Sequence, residues 1–176
     1  MIELVIPDPS LVVLVAAAGA GKTTFAARQF EPAEILSSDA YRARISGDEA
    51  DQRVTRTAFE QLHRDLDRRL ADRRLTVIDA TNVERSARLA LVTRAATAGL
   101  PAIAIVLDLP SPVVLARNAG RPSRVVPEHV LLRHLARLRE SLDRRGGPLE
   151  GEGFLEVFVL RDPSEVDAIR IRRQVG

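Results

Sequence analysis

Six consecutive apolar residues, Leu11 to Ala16, lead directly into a run of small residues that ends in Gly21-Lys22-Thr23. No polar residue interrupts the apolar stretch, which is typical of a strand buried on both faces of a parallel sheet. Residues 16–23 match the phosphate-binding loop pattern G-x-x-x-x-G-K-[ST] at every fixed position except the first glycine, where Ala16 stands. We therefore expect an α/β fold in which this loop joins a strand to a helix and its backbone N–H groups cradle a phosphate chain.

The lysine of this loop is the only lysine in the chain, and the other 25 of the 26 basic residues are arginine. The pI is about 9.8 although the net charge is only +2, because guanidinium groups stay protonated at pH values where lysine loses its charge. The high pI is therefore weak evidence for nucleic-acid binding. A compact ammonium suits the position that reaches the β- and γ-phosphates, where a planar guanidinium fits poorly. This coincidence favours a nucleotide site over a small-residue turn that contains Gly-Lys-Thr by chance. The predicted nucleotide-binding residues are Gly19, Ala20, Gly21, Lys22, Thr23 and Thr24, with the Thr23 hydroxyl on Mg²⁺.

Short apolar runs alternate with stretches of helical period, which is the pattern of an α/β fold with a mainly parallel sheet. The predicted strands are residues 11–16, 34–37, 75–80, 102–109 and 154–160. The predicted helices are residues 22–30, 53–73, 84–98, 127–145 and 164–172. We expect one domain over residues 1–176, with a central five-stranded sheet flanked by helices and a helical lid at about residues 110–127.

Polar residues follow the second predicted strand at Ser37-Ser38-Asp39, and Arg42 stands three positions after Asp39. If Ser38 or Asp39 caps a helix, Asp39 and Arg42 project near one another at the carboxyl end of a strand. In a kinase of this architecture the carboxylate can accept the proton of an attacking hydroxyl, and the guanidinium can hold an anionic group of the acceptor. The alternative is a capping aspartate in a surface ion pair.

The third predicted strand, residues 75–80, carries Asp79 at its end, and Thr81 and Asn82 follow it. An apolar run closed by an aspartate resembles a Walker-B strand, whose carboxylate helps to position Mg²⁺. Thr81 and Asn82 are then expected on the loop above the sheet, where they can offer hydrogen bonds to a substrate. The alternative is a polar strand end with an asparagine cap for the next helix.

Three arginines, Arg117, Arg121 and Arg124, cluster around a break formed by Gly120 and Pro122. A movable flap that carries arginines over a phosphate site can neutralise the charge that develops in phosphoryl transfer and can exclude water. The alternative is that they are ordinary cations near a helix C-terminus in an arginine-rich chain.

Composition excludes several other chemistries. The chain has no cysteine, which excludes disulfides, thiol nucleophiles and cysteine-bound metals, and its three histidines lack metal-ligand spacing. The longest apolar run, Leu11 to Ala18, is far shorter than the roughly 20 residues of a membrane span, and Met1 to Pro7 lacks a basic segment. We therefore expect a cytoplasmic protein with no membrane partner.

In their order along the chain, these motifs resemble the 5′-hydroxyl polynucleotide kinase module of bacterial RNA end-healing and repair enzymes. The segments that carry the resemblance are Ala18 to Thr24, Ser37 to Arg42, Asp51-Gln52 before Ala58-Phe59, Val77 to Asn82, Arg117-Asn118, Arg121-Pro122 and Arg124. The likeness covers about residues 11–162. It implies an ATP-dependent P-loop phosphotransferase that phosphorylates the 5′-OH ends of RNA or DNA and requires Mg²⁺.

The resemblance also implies roles for single residues. Lys22 would contact the donor phosphates, Thr23 the metal, and Asp39 would be the general base. Arg42 would bind the acceptor's phosphate. The donor or the transferred group would be bound by Arg117, Arg121 and Arg124. Relatives with several modules carry phosphatase and ligase-type modules downstream, so we expect a free-standing kinase or one module of a repair enzyme, with a homo-oligomer or separate repair modules as partners.

Two other functions use the same residues. A kinase of a small-molecule hydroxyl, on a metabolite or an antibiotic, would share the loop, the aspartate and the arginines, and would phosphorylate a small acceptor but no oligonucleotide. A non-catalytic nucleotide-binding regulator would bind ATP without transferring phosphate to either acceptor.

Overall fold

The structure is a computed structural model, and it describes residues 2–122, 124–142 and 149–176. The strands are β1 (Ile2–Asp8), β2 (Leu11–Val15), β3 (Ile35–Ser37), β4 (Thr76–Asp79), β5 (Ala102–Leu107), β6 (Glu156–Leu160) and β7 (Ile169–Val175). The helices are α1 (Lys22–Gln29), α2 (Ser38–Ser46), α3 (Thr55–Ala71), α4 (Arg85–Thr97), α5 (Ser111–Ala119), α6 (Glu128–Leu142) and α7 (Pro163–Ala168). Of these helices, none has the length and apolar character of a membrane span.

The five predicted strands form one parallel sheet, as expected, and their order in it is β3-β4-β2-β5-β6. Strand β2 is central, and Val13 pairs with Ile78 of β4 and Ala104 of β5. Its side chains alternate between two apolar clusters, with Val12 on one face of the sheet and Val13 on the other. The uninterrupted apolar run thus reflects burial on both faces. Because β2 lies between strands that follow it in sequence, its carboxyl end is at a switch point of the sheet, where α/β proteins bind ligands.

The long helix α3 shows how the sequence pattern fixes packing. Ala58, Leu62, Leu66 and Leu70 recur every four residues, and all four are buried against the sheet. The intervening arginines and aspartates give the helix its solvated face. Helix α6 also follows its prediction to Leu142, and the predicted helical residues 143–145 lie outside the described part of the chain.

The last predicted helix, residues 164–172, is wrong in its second half, because α7 ends at Ala168 and β7 begins at Ile169. In β7, Ile169 and Ile171 alternate with arginines, which is the period of a strand with one covered face. Strand β1, which was not predicted, pairs with β7 in a separate two-stranded parallel sheet. Leu4 and Ile6 of β1 are buried in the main core on that sheet's covered face.

Candidate active site

A cleft of about 890 Å³ lies at the carboxyl edge of the sheet, where the segments that follow β2, β3 and β4 meet the segment between α5 and α6. Its charged lining residues are Lys22, Arg28, Asp39, Arg42, Asp79, Arg117, Arg121, Arg124, Arg133 and Asp167. Cations outnumber carboxylates in this lining, so the cleft suits a polyanionic ligand. Its volume is in the range of small-molecule and cofactor sites.

The loop between β2 and α1 has the backbone that the motif requires. Gly19 and Gly21 have φ values of 79° and 98°, in the left-handed region that glycine adopts without strain. A Cβ atom on Gly19 would lie 3.1 Å from Asn118 Cβ, so α5 packs directly on the loop. Ala16 does not share this conformation. Among the described residues other than glycine, only Arg73 and Asn82 have a positive φ. The alanine at the first motif position therefore needs no left-handed backbone.

The Lys22 side chain is buried and folds back on its own loop. Its ammonium donates to the carbonyls of Ala17 at 3.1 Å and Ala16 at 3.5 Å. The pKa of Lys22 is lowered to about 8, mainly by burial; Asp79 opposes the shift, and the charges of Arg121 and Arg124 contribute to it. An anion in the cleft would stabilise the ammonium by replacing part of the lost hydration.

The fold brings together Thr23 and Asp79, the two residues predicted to bind the metal. The Thr23 hydroxyl donates to Asp79 Oδ2 at 2.8 Å, and Asp79 is buried at the end of β4. A hydroxyl and a carboxylate are the hard oxygen ligands that Mg²⁺ prefers. Within the described ranges there is no group of three or more His, Asp or Glu side chains that could hold a metal ion. Thr23 and Asp79 can supply two oxygen ligands to Mg²⁺, whose remaining ligands in P-loop proteins are phosphates and water.

Asp39 lies in the first turn of α2, but the helix is capped by Ser37, whose hydroxyl accepts from the Ala40 N–H at 3.4 Å. The cap therefore lies one position before Ser38 and two before Asp39, and the Asp39 carboxylate is free for other contacts. It forms an ion pair with Arg42 and a second one with Arg124, whose Nη1 lies 2.9 Å from Asp39 Oδ1.

Arg42 is 5% exposed and its partner Asp39 is half-buried, so the ion pair lies at the edge of the cleft rather than on the open surface. Its Nε donates to the Glu49 carbonyl at 2.8 Å, which fixes the guanidinium against the end of α2. Burial lowers the pKa of Arg42, and the neighbouring charge of Arg124 adds to that shift. A buried guanidinium at the edge of an open cleft can bind an anionic group of a second substrate.

The predicted lid contacts both sides of the cleft. Arg117 Nη1 donates to the Ala20 carbonyl of the loop at 3.1 Å, whereas Arg124 reaches Asp39 on the opposite side. The Asn118 side chain bonds both backbone groups of Val126, at 2.8 and 3.0 Å, and so holds the two ends of the intervening turn together. Within this turn, Ser123 is outside the described residues. Arg121 lines the cleft, close enough for its charge to act on Lys22.

Thr81 lies in the cleft as expected, but the structure does not bring Asn82 there. The Asn82 amide is buried and donates to the Leu14 carbonyl at 2.8 Å, and its backbone φ is 48°. Asn82 thus ties the end of β4 to the end of β2, and its side chain is not among those that line the cleft. That it offers hydrogen bonds to a substrate stays a prediction.

Two features of the site were missed from the sequence. His134 of α6 lines the cleft, and its Nδ1 accepts a hydrogen bond from the Ala18 N–H of the loop at 3.4 Å. A signal for its position was present, because His134 stands between Leu131 and Leu138 at helical spacing on the buried stripe of α6.

The second missed feature is a fully buried ion pair beside the cleft. Arg88 of α4 binds Glu152 through two contacts of 2.7 and 2.8 Å, and it also donates to the carbonyls of Asn82 and Val83. Through its bonds to these two carbonyls, Arg88 holds the turn after β4 in place. Its partners are 64 residues apart in sequence, and no spacing rule connects them.

A phosphate-binding loop at the central strand of a parallel sheet in this order defines the P-loop kinase fold. The AAA domain family model matches residues 11–144, most of the chain, and this protein belongs to that family. No curated protein sequence matches the chain significantly.

Several solved structures share the fold. A chain of the Pnkp1/Rnl/Hen1 RNA repair complex superposes with a TM-score of 0.63 and 21% identity, over 76% of this chain and 45% of that one. This protein therefore spans less than half the length of that relative. Kti12 from Chaetomium thermophilum, in complex with ADP-AlF3, has a TM-score of 0.62 and 17% identity over 89% and 93% of the two chains. A gluconokinase from Sinorhizobium meliloti 1021 has a TM-score of 0.57 and 16% identity over 92% and 87%.

Proposed function

We propose that this protein is an ATP-dependent polynucleotide kinase that transfers the γ-phosphate of ATP to the 5′-hydroxyl ends of RNA or DNA, as one cytoplasmic kinase domain. The observation that carries the proposal is the pair of ion pairs that Asp39 forms with Arg42 and Arg124, in the same cleft as Lys22. A carboxylate and a buried guanidinium opposite the loop are suited to a hydroxyl acceptor that also bears phosphate. The likeness to a chain of an RNA repair complex supports a polynucleotide acceptor.

On the donor side, the loop N–H groups and the N-terminus of α1 bind the phosphate chain of ATP. The Lys22 ammonium exchanges its contacts with the Ala16 and Ala17 carbonyls for the β- and γ-phosphates. Thr23 and Asp79 would hold Mg²⁺, which would neutralise part of the phosphate charge.

On the acceptor side, the 5′-hydroxyl oxygen attacks the γ-phosphorus in line. A new oxygen–phosphorus bond forms, the bond between the γ-phosphorus and the bridging oxygen breaks, and ADP leaves. The hydroxyl proton passes to the Asp39 carboxylate. For this step Asp39 exchanges its ion pair with Arg124 for the hydroxyl, and the released Arg124 can act with Arg117 and Arg121 on the charge of the transferring group. Arg42 retains further N–H donors for a phosphate of the acceptor.

The test is a transfer assay with γ-labelled ATP, Mg²⁺ and matched RNA and DNA oligonucleotides that bear either a 5′-hydroxyl or a 5′-phosphate. We expect label on the 5′-hydroxyl ends alone, and the ratio between RNA and DNA then defines the preferred acceptor. An Asp39→Asn variant run in parallel identifies label introduced by a contaminating kinase, since that label would persist. Binding of ATP without label on any end would contradict the proposal.

A kinase of a small-molecule hydroxyl is the second candidate. The likeness to the gluconokinase covers 92% of this chain, whereas the likeness to the RNA repair chain covers 76% of it. The same assay with gluconate and other sugar acids in place of the oligonucleotides separates the two functions. Label on a small acceptor with none on a 5′-hydroxyl end would favour this candidate.

A further inference from the structure

His134 connects helix α6 to the phosphate-binding loop. The Ala18 N–H donates to its Nδ1 at 3.4 Å, across 116 residues of sequence, and the half-buried imidazole lines the same cleft as Lys22. A ring nitrogen that accepts a hydrogen bond carries no proton, so this contact assigns the neutral imidazole, with its proton on Nε2. His134 therefore occupies an N–H group of the loop whose backbone donors bind phosphate.

The surroundings of His134 disfavour its charged form. Burial lowers the pKa of His134, and the charges of Lys22, Arg133 and Arg124 act in the same direction, while Glu84 opposes them. These groups belong to α1, to α6 itself, to the lid and to the turn before α4. Three of the four are cations, so a ligand that neutralises them reverses the balance.

We propose that His134 is a nucleotide-binding residue that takes up a proton when the triphosphate enters the cleft and pairs with its phosphate chain as an imidazolium. The proposal rests on the proposed function only in assigning the donor nucleotide to this cleft. The proton comes from solvent, the Ala18 N–H is released to the phosphates, and no covalent bond changes.

The electrostatic reason is the charge of the ligand. A nucleoside triphosphate brings several negative charges to a site whose cations hold His134 neutral. Opposite charge within a few ångströms favours the protonated form, so the pKa of His134 rises on binding. Between the lowered pKa of the free protein and the raised pKa of the complex, nucleotide binding takes up protons at His134. By linkage, affinity in that window increases as the pH falls.

The experiment is titration calorimetry with ATP at about pH 6.5, in two buffers of different ionisation enthalpy, which gives the number of protons taken up on binding. The test variant is His134→Asn, because the asparagine oxygen can still accept from the Ala18 N–H but cannot be protonated. The matched control is His63→Asn. His63 is also a half-buried histidine with a lowered pKa, but it lies in a separate surface pocket with Asp67 and Arg94.

We expect the wild-type protein and His63→Asn to take up the same fraction of a proton, and His134→Asn to take up much less. Proton uptake by ATP itself is common to all three proteins, so the difference reports on His134. We also expect the affinity of the wild-type protein to fall several-fold more than that of His134→Asn between about pH 6 and about pH 8. Equal uptake by the wild-type protein and His134→Asn would overturn the proposal.

A second measurement does not depend on the variant folding. The chain has only three histidines, so the ring resonances of the wild-type protein can be followed by NMR as the pH changes, with and without ATP. We expect one resonance to shift its midpoint to higher pH when ATP is bound, and no such shift overturns the proposal. ATP binding without a histidine shift removes only the role of His134, whereas failure of ATP to bind removes the proposed donor site as well.

Discussion

The two sides of the cleft are assembled in different ways. The donor side is one continuous segment, residues 16–24, whose conformation depends on two glycines and on its position between β2 and α1. The acceptor side joins Asp39 and Arg42 of α2 to Arg124, which is 85 residues away in sequence from Asp39. The backbone that cradles phosphate is therefore set locally, although Asp79 and Arg117 contact the loop from other elements. The acceptor site, in contrast, exists only after the tertiary structure brings Arg124 to Asp39.

The largest effect should come from the donor side, with Lys22→Ala. Removing the ammonium leaves the charge on the β- and γ-phosphates uncompensated, so we expect transfer to fall on the order of 10³-fold and ATP affinity to fall with it. Lys22→Arg keeps the charge but changes its shape, and we expect little rescue because a planar fork suits this position poorly. Initial rates and calorimetry with ATP measure the two quantities.

Stability distinguishes this result from misfolding. Lys22 bonds only to carbonyls of its own loop among the contacts described, so the unfolding temperature of Lys22→Ala should stay near that of the wild-type protein. Full transfer by Lys22→Ala would show that the sole lysine is not part of the donor site.

On the acceptor side, Asp39→Asn separates binding from chemistry. An amide cannot take the hydroxyl proton, so we expect transfer to fall about 10²-fold or more. The affinity for ATP should change little, since Asp39 contacts Arg42 and Arg124 rather than the loop. Rapid-quench transfer and ATP titration check the two halves of the prediction. Asp72→Asn, at the exposed end of α3, serves as a control with no expected effect.

The same division explains what could be predicted from sequence. The five strands of the main sheet and the donor loop follow from runs of apolar and small residues, because local pattern determines both. The proximity of Asp39 and Arg42 could also be predicted, since helical spacing places residues three apart on one face. The cap at Ser37 was misassigned because Ser37 and Ser38 are both adjacent to the strand end and either hydroxyl can cap a helix.

Contacts between distant segments could not be predicted. His134 reaches Ala18 and Arg88 reaches Glu152 only after the sheet has brought α6, α4 and the loops together. Asn82 was assigned to the substrate because its place after a strand suggests a site, but its amide satisfies a buried carbonyl instead. The final strand was missed because residues 169–172 contain two isoleucines and two arginines, too few for a two-residue period to outweigh a helical one.

A smaller effect should test how firmly helix α2, which carries Asp39 and Arg42, is anchored. Tyr41 precedes Arg42 on α2, and its hydroxyl donates to Asp65 of α3 at 2.5 Å. Burial and this hydrogen bond raise the pKa of Tyr41 to about 12. The neutral hydroxyl is thus favoured in the folded state, and its contribution to stability is present below the ordinary tyrosine pKa of about 10. It should be lost as the pH rises from about 10 through about 12.

Tyr41→Phe should lack this decline in stability. Urea unfolding at several pH values measures it, and because the chain has one tyrosine and no tryptophan, ultraviolet absorbance of tyrosinate reports on Tyr41 alone. The single lysine leaves few other groups that titrate in this range. A tyrosinate midpoint near pH 10 in the folded protein would show that α2 is not anchored through this hydroxyl.

The smallest effect on function should come from Ala16→Gly, which restores the standard first residue of the loop. Ala16 has no positive φ, and its buried methyl packs in the core, so glycine adds no needed freedom and removes a contact. We expect ATP affinity and transfer to stay within about twofold and the free energy of unfolding to fall by about 1 kcal/mol. Gly19→Ala makes the opposite change at a φ of 79°, where the new Cβ would lie 3.1 Å from Asn118. It should lower ATP affinity clearly, and calorimetry on the two variants compares them directly. A large gain in affinity for Ala16→Gly would mean that the departure from the motif impairs the donor side after all.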